Sequence, residues 1–242
     1  MTLSKYKLSI VVPCYNEADN IPLIFKRFKE VLRSNDDVEI ILVNNGSKDN
    51  SRIFFDNQMA DYNDPRFKVI DVPVNQGYGY GILEGLKVAN GNVLSWTHAD
   101  MQTDPKDVIV AFDLYKENGN ENIFIKGSRK KRKLAEAFFT WGMQAVSTVV
   151  LGIPLRDINA QPKMFSRMFY NKYINENAPW DFSLDLYVLY QAKRTAKIYE
   201  IPVYFNKRMH GEAKGGGSFK SRLKLIKRTF KYIFELRQKI KK

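Results

Sequence analysis

Between residues 8 and 130 the chain repeats one pattern: a short apolar run, a polar turn, then a segment of helical period. The apolar runs occupy 8–12, 38–43, 67–72, 92–96 and 122–126, and helical stretches fill 20–33, 49–62, 82–89 and 107–117. Runs this apolar read as strands buried on both faces, and strands alternating with helices make βαβ units. The expected fold class is therefore α/β, a mainly parallel central sheet flanked by helices. In such sheets a ligand sits beyond the carboxyl ends of the strands. The polar turns 13–17, 44–47, 75–81 and 98–102 all fall on that edge. A chain of 242 residues with 44% hydrophobic content can bury a real core, as one large domain or one domain with an appendage.

The most informative of these turns is His98-Ala99-Asp100-Met101-Gln102. Alternate residues of an extended segment point the same way, so His98, Asp100 and Gln102 can converge on one ion or one polar ligand. A hard divalent ion that bridges phosphates takes oxygen ligands from a carboxylate and an amide. The competing reading is a polar strand end in which Asp104 caps a helix opened by Pro105. Gly77, Gly79, Gly81 and Gly85 do not form G-x-G-x-x-G and follow the third strand, and no G-x-x-x-x-G-K-[ST] occurs. A dinucleotide site fits poorly and a P-loop is excluded; a tight turn and close helix–sheet packing account for these glycines. The single cysteine, Cys14, lies in an apolar strand and reads as a buried hydrophobe. It forbids an internal disulfide and suits a reducing compartment.

The second half is less regular. Residues 134–151 form an apolar helix candidate that Glu136, Gln144 and Ser147 make a poor membrane span; it belongs either to the core or against a bilayer surface. A polar loop, 157–163, follows. Residues 182–190 start a helix whose one acid, Asp185, is either a capping group or an active-site carboxylate. The N-terminal residues lack the apolar region of a signal peptide, and no run of about 18 apolar residues predicts a membrane span.

The net charge of +13 is concentrated. Residues 206–242 hold 13 Lys and Arg against Glu212 and Glu235, which is +11 of the total. The expected division is a domain at 1–217 and a basic amphipathic helix at 218–242. At 100° per residue Phe219, Leu223, Ile226, Phe230, Ile233 and Phe234 share a face. Lys220, Lys224, Lys227, Arg228, Lys231, Lys239 and Lys242 occupy the other. Such a helix suits the interface of an anionic membrane. Packing on the domain is the alternative. Nucleic acid is disfavoured, since the apolar face is wide and no nucleic-acid fold surrounds it.

Taken together, the motifs resemble the family 2 inverting glycosyltransferases of GT-A fold, and most the branch of dolichyl-phosphate mannose synthases and bacterial polyprenyl-phosphate glycosyltransferases. Val11-Val12-Pro13-Cys14-Tyr15-Asn16-Glu17 is similar to that family's opening nucleotide-binding strand and loop. Residues 41–49 resemble its V-D-D-G-S strand and turn, with Asn44 and Asn45 in place of both acids. Asn75-Gln76-Gly77 with Gly85 is similar to its N-x-G…G segment, 98–102 stands where D-A-D-L-Q stands with His98 for the first acid, and Gly127-Ser128-Arg129 matches G-S-R. The resemblance implies transfer of a sugar from a UDP- or GDP-sugar to a membrane-held acceptor. That acceptor would be a polyprenyl phosphate or a lipid-linked glycan, with a growing polysaccharide or a non-catalytic binder as alternatives. It implies a divalent metal, Mn²⁺ or Mg²⁺, at Asp100, Gln102 and His98. Pro13, Tyr15, Glu17, Asn45, Gly46, Gln76, Gly77, His98, Ala99 and Asp100 would bind the nucleotide sugar. Arg129 and Lys163 are the candidates for phosphate charge, Asp185 for a general base toward a hydroxyl, and Arg208, His210 and Lys214 for an acceptor phosphate. The protein is expected on the cytoplasmic face of a membrane as a peripheral protein. A membrane-protein partner or a homo-oligomer is compatible with that placement.

Overall fold

The computed structural model describes residues 7–33, 35–118, 122–130, 134–206, 208–210 and 219–241. Seven strands make one sheet: β1 (Leu8–Cys14), β2 (Val38–Asn45), β3 (Phe67–Val72), β4 (Val93–Trp96), β5 (Ile123–Lys130), β6 (Lys163–Ser166) and β7 (Lys197–Tyr204). Their spatial order is β3-β2-β1-β4-β6-β5-β7. Pairing is parallel except where β6 runs antiparallel between β4 and β5. The helices are α1 (Ile21–Leu32), α2 (Ser51–Tyr62), α3 (Tyr78–Val88), α4 (Lys106–Asn118), α5 (Leu134–Leu151), a single turn α6 (Arg167–Phe169), α7 (Leu184–Thr195) and α8 (Phe219–Lys241).

Side-chain parity along the central strands builds two cores. Ile10, Val12, Ile40 and Leu42 pack with Phe25, Phe28, Val108 and Phe112 of α1 and α4. Val11, Ile41 and Val43 face the other way and join Ile82 and Leu86 of α3 with Leu186 and Leu189 of α7. Burial on both faces is why these strands carry almost no polar residue before their carboxyl ends.

Several boundaries differ from the sequence expectation. β2 continues through Asn44 and Asn45, paired with Asp71 and Val72 of β3, because the Asn44 amide donates to Asp71 Oδ1 at 2.8 Å. α3 begins at Tyr78, so Gly79, Gly81 and Gly85 are helix residues. A Cβ on Gly85 would lie 2.4 Å from Val11 Cγ1 and 2.9 Å from Val43 Cγ2, so α3 crosses the sheet at the distance only a glycine allows. β5 runs on to Lys130, and two strands were not anticipated. β6 is four residues long and opens on a lysine; β7 lies at the sheet edge, alternates exposed with buried residues and carries Pro202. The direction of β6 matters for the site. Lys163 pairs with Trp96, so the start of β6 meets the carboxyl end of β4.

α8 packs part of its apolar face on the domain. Ile233 and Leu236 are buried, and Phe230 and Tyr232 pack on the same core, while Phe234 stays 54% exposed. Among the described residues no helix is long and apolar enough to cross a membrane.

Two stability outcomes follow from this packing. Gly85→Ala should cost about 1–3 kcal/mol, since β-branched Val11 and Val43 cannot swing aside, and denaturant unfolding would measure it. Asp107, in the first turn of α4, is pushed up to about 6 by burial, with Asp104 adding repulsion. Its folded value lies above its unfolded one, so its contribution is full in acid and is lost as pH rises through about 6. Asp107→Asn should therefore raise Tm by about 2 °C near pH ~7.5 and leave it unchanged near pH ~4, after discounting for partial exposure.

Candidate active site

A cavity of about 510 Å³ opens at the carboxyl edge of the sheet. Pro13, Tyr15 and Glu17 line it from the loop after β1, Asn45 from the end of β2, and Asn75, Gly77 and Tyr78 from the start of α3. His98, Ala99, Asp100 and Gln102 enter after β4, Arg129 from β5, and Phe205 and Arg208 after β7. Asn159, Phe182 and Arg228 complete the wall.

The wall formed by the loops after β1 and β2 is held by side chains bonding to backbone. Ser47 Oγ accepts from the Asn16 N–H at 3.0 Å, Asn16 Oδ1 from the Lys48 N–H at 2.7 Å, and Ser51 Oγ from the Glu17 N–H at 3.2 Å. Gly46 turns with φ +68°, where a Cβ would sit 2.4 Å from the Asn75 nitrogen. Asn45 Nδ2 donates to the Gly77 carbonyl at 3.0 Å, which fixes the amide and leaves Oδ1 buried without a partner.

Asp100 sits at the centre. Its Oδ1 accepts from the Gln102 N–H at 3.1 Å, bending the chain so that Met101 has φ 55°. Its Oδ2 accepts from Arg208 Nη2 at 2.8 Å, and Arg208 Nη1 lies 3.7 Å from Glu17 Oε1. The loops after β4 and β7 are joined twice: Asn206 N–H donates to the Gln102 carbonyl at 2.8 Å, and Gln102 Nε2 donates to the Asn206 carbonyl at 3.2 Å. This join carries Arg208 to Asp100. Burial pushes the His98 imidazole below its usual range, so it is neutral at physiological pH, against the pull of Asp100. Arg129 Nε donates to Asp157 Oδ1 at 2.8 Å, and its guanidinium lies over the Phe205 ring at 5.6 Å.

Behind the cavity lies a buried polar floor. Lys163 Nζ is 2.6 Å from Asp185 Oδ1, and Gln161 Nε2 donates to the same oxygen at 3.0 Å and to Tyr78 Oη at 3.1 Å. Lys163 also donates to the Ala160 carbonyl at 3.2 Å. Lys163 is 0% and Asp185 2% exposed, and neither lines the cavity. The structure thus places both behind the wall, not on it. An ammonium this buried is held by its counter-ion and cannot reach a phosphate, and a carboxylate so paired is no free base. Desolvation lowers the Lys163 ammonium from its usual range, with Asp185 opposing.

Of the other expected residues, Gln76 is exposed and off the wall, Gly46 shapes the wall without lining it, and His210 is exposed outside the cavity. Lys214 lies outside the described residues. Sequence reasoning missed Tyr78, Phe182, Phe205 and Arg228. Phe205 follows the unanticipated β7, and Arg228 belongs to a helix assigned to the membrane. Asn159 had a signal, being inside the polar loop 157–163. Among the described residues no three His, Cys, Asp or Glu side chains gather into a metal-holding group.

Residues 9–181 match the description Glycosyl transferase family 2. The chain belongs to that family. Relatives of this family 2 protein include a dolichyl-phosphate beta-glucosyltransferase of Trichomonas vaginalis, 29% identical over 91% of this chain and 72% of the relative. An uncharacterized glycosyltransferase of Bacillus subtilis is 38% identical over 54% of this chain and 39% of its own length. An undecaprenyl-phosphate 4-deoxy-4-formamido-L-arabinose transferase of Yersinia enterocolitica is 33% identical over 42% of this chain and 31% of its own length. The chain thus spans well under half of the latter two. Among solved structures, glucosyl-3-phosphoglycerate synthase of Mycobacterium tuberculosis, with Mn²⁺, UDP-glucose and glycerol 3-phosphate, superposes with TM-score 0.70 at 16% identity over 96% of this chain and 80% of that one. A mannosyltransferase of Pyrobaculum calidifontis with GDP-mannose and Mn²⁺ gives TM-score 0.63 at 15% identity over 87% and 58%. These likenesses establish the GT-A fold.

The floor supplies a stability test. Lys163→Met should cost about 3–5 kcal/mol by stranding Asp185, and adding Asp185→Leu should recover most of it, as read by urea unfolding of the single and double variants.

Proposed function

We propose that this protein transfers a sugar, with inversion, from a nucleoside-diphosphate sugar to a membrane-held phosphate acceptor of the polyprenyl-phosphate kind. One observation carries the reading. The two carboxylates on the wall, Glu17 and Asp100, face the same Arg208 at 3.7 and 2.8 Å, and behind them Asp157 pairs with Arg129, Asp181 with Arg228 and Asp185 with Lys163 at 2.6–3.1 Å. The cavity therefore presents three guanidiniums, and no carboxylate on this list stands ready to take a proton from a hydroxyl. A phosphate oxyanion is already a nucleophile and needs no general base. The names of the dolichyl-phosphate and undecaprenyl-phosphate relatives support the same acceptor class.

In this reading Pro13, Tyr15 and Glu17 border the base and ribose. Asn45 lines the same wall, its amide fixed by the bond to the Gly77 carbonyl. The acceptor oxygen attacks the anomeric carbon from the face opposite the leaving group. The bond from that carbon to the diphosphate breaks, and its electron pair leaves with the nucleoside diphosphate. Arg208 and Arg129 neutralise phosphate charge with planar donors. The donor chemistry fits a divalent ion: Asp100 offers a carboxylate and His98 a neutral imidazole, a pair that suits Mn²⁺ better than Mg²⁺, with the diphosphate supplying further oxygens. When bound there, the ion supplies Lewis-acid stabilisation of the departing diphosphate. The cations of α8 support a peripheral position on the cytoplasmic face of an anionic membrane.

The test joins a titration and a transfer assay. Purified protein is titrated with UDP and GDP with and without Mn²⁺ or Mg²⁺, and labelled donor is offered with a short polyprenyl phosphate. Asp100→Asn should lower transfer about a hundredfold or more while leaving thermal unfolding within a few degrees. Transfer at the wild-type rate in that variant would remove Asp100 from the chemistry. Transfer to sugar hydroxyls and not to phosphates would reassign the acceptor.

A further inference from the structure

The helix that the charge pattern sends to a membrane also reaches the cavity. Arg228, in α8, is a wall residue alongside Arg129 and Arg208. Its Nε is 3.1 Å from Asp181 Oδ2, and its guanidinium lies over the Phe182 ring at 5.8 Å. Phe182 in turn stacks on Tyr78, with centroids 5.0 Å apart and planes at 8°. The position is anchored, since Ile233 and Leu236, one to two turns further on, are buried in the core. Of the other α8 cations with described surroundings, Lys227, Lys231 and Lys239 are exposed and Arg237 is half-buried, and none is on the wall.

We infer that Arg228 is a binding residue for the acceptor's phosphate group, so that α8 both meets the membrane and completes the site. The inference rests on the function proposed above and assigns a residue to its acceptor half. Three physical points support it. The ion pair with Asp181 is a weak hold, because the two side chains are 47% and 30% exposed. A phosphate oxyanion offers a guanidinium charge-assisted, bidentate bonds, so exchanging Asp181 for a phosphate is favourable. Arg208 is committed to two carboxylates, Asp100 and Glu17, whereas Arg228 rests on Asp181 and Phe182 of the segment before α7. The Phe182 face below it can keep the guanidinium flat while its edge donates.

The experiment uses the full chain and a water-soluble polyprenyl phosphate of two to four isoprene units, with no vesicles. Membrane binding then cannot affect the result. Arg228→Ala should raise the acceptor KM about tenfold or more, with donor KM and kcat within about twofold. Arg228→Lys should recover part of the loss, because it restores charge without the planar fork. A donor KM that rises instead would place Arg228 on the diphosphate and overturn the inference. So would an acceptor KM that does not move while co-sedimentation with anionic vesicles weakens, since Arg228 would then be a lipid-headgroup contact only. If the wild-type chain binds nucleotide but transfers to no phosphate acceptor, the underlying reading fails and the inference with it. If wild type transfers and Arg228→Ala is unchanged in every respect, only the inference fails.

Discussion

The site depends on one buried charge pair. Lys163 and Asp185 meet at 2.6 Å, both buried, and each would be untenable alone. Lys163 opens β6 and Asp185 lies in the first turn of α7, so their contact pins the helix to the sheet directly under the cavity. Gln161 and Tyr78 extend that pinning to α3. Three elements from distant parts of the sequence are thereby fixed at one point. The wall residues His98, Tyr78 and Phe182 inherit their positions from it.

Above this floor the electrostatics are simple. Every acid named around the cavity has a basic partner, and the partners that face the opening are arginines. Three arginines are shared among Glu17, Asp100, Asp157 and Asp181, so the empty cavity holds its charges in partnered form. It gains when an anion arrives, because an acid–arginine contact exposed to water is weak and a phosphate–arginine contact is strong. Arg228 with Asp181 is such an exposed contact, whereas Arg208 is held more deeply. Arg208 lies between Glu17 and Asp100, carried there by a loop that is tied to the strand-end turn through Gln102 and Asn206. The turn that bears the central carboxylate and the loop that bears its counter-ion therefore move as one unit.

Much of this was legible in the sequence, for identifiable reasons. The strands at 8–12 and 38–43 could be read because burial on both faces demands continuous apolar runs. Asp100 could be found because a strand end with alternating polar groups is unusual. β6 could not be read: it is four residues long, and its lysine looks like a solvated charge until its partner is known. Lys163 and Asp185 each drew attention separately, one as a phosphate ligand and the other as a base. Nothing in local pattern shows that two lone charges 22 positions apart are each other's answer. Arg228 was hidden for a related reason. Helical periodicity sorts cations from apolar residues, but it cannot say which cation of the polar face looks into a cleft.

The antiparallel β6 also has a consequence for how the chain is assembled. β4 pairs with β1 on one side and with β6 on the other, and β5 also needs β6 before it can join the sheet. During synthesis β1 to β4 can associate early, yet the outer edge of β4 stays open until the polypeptide has been made through Ser166. For that interval the growing protein carries an unpaired, strongly apolar edge, the kind of surface that invites pairing with another chain. The short strand that closes the sheet is thus also the step that ends the aggregation hazard of a nascent chain.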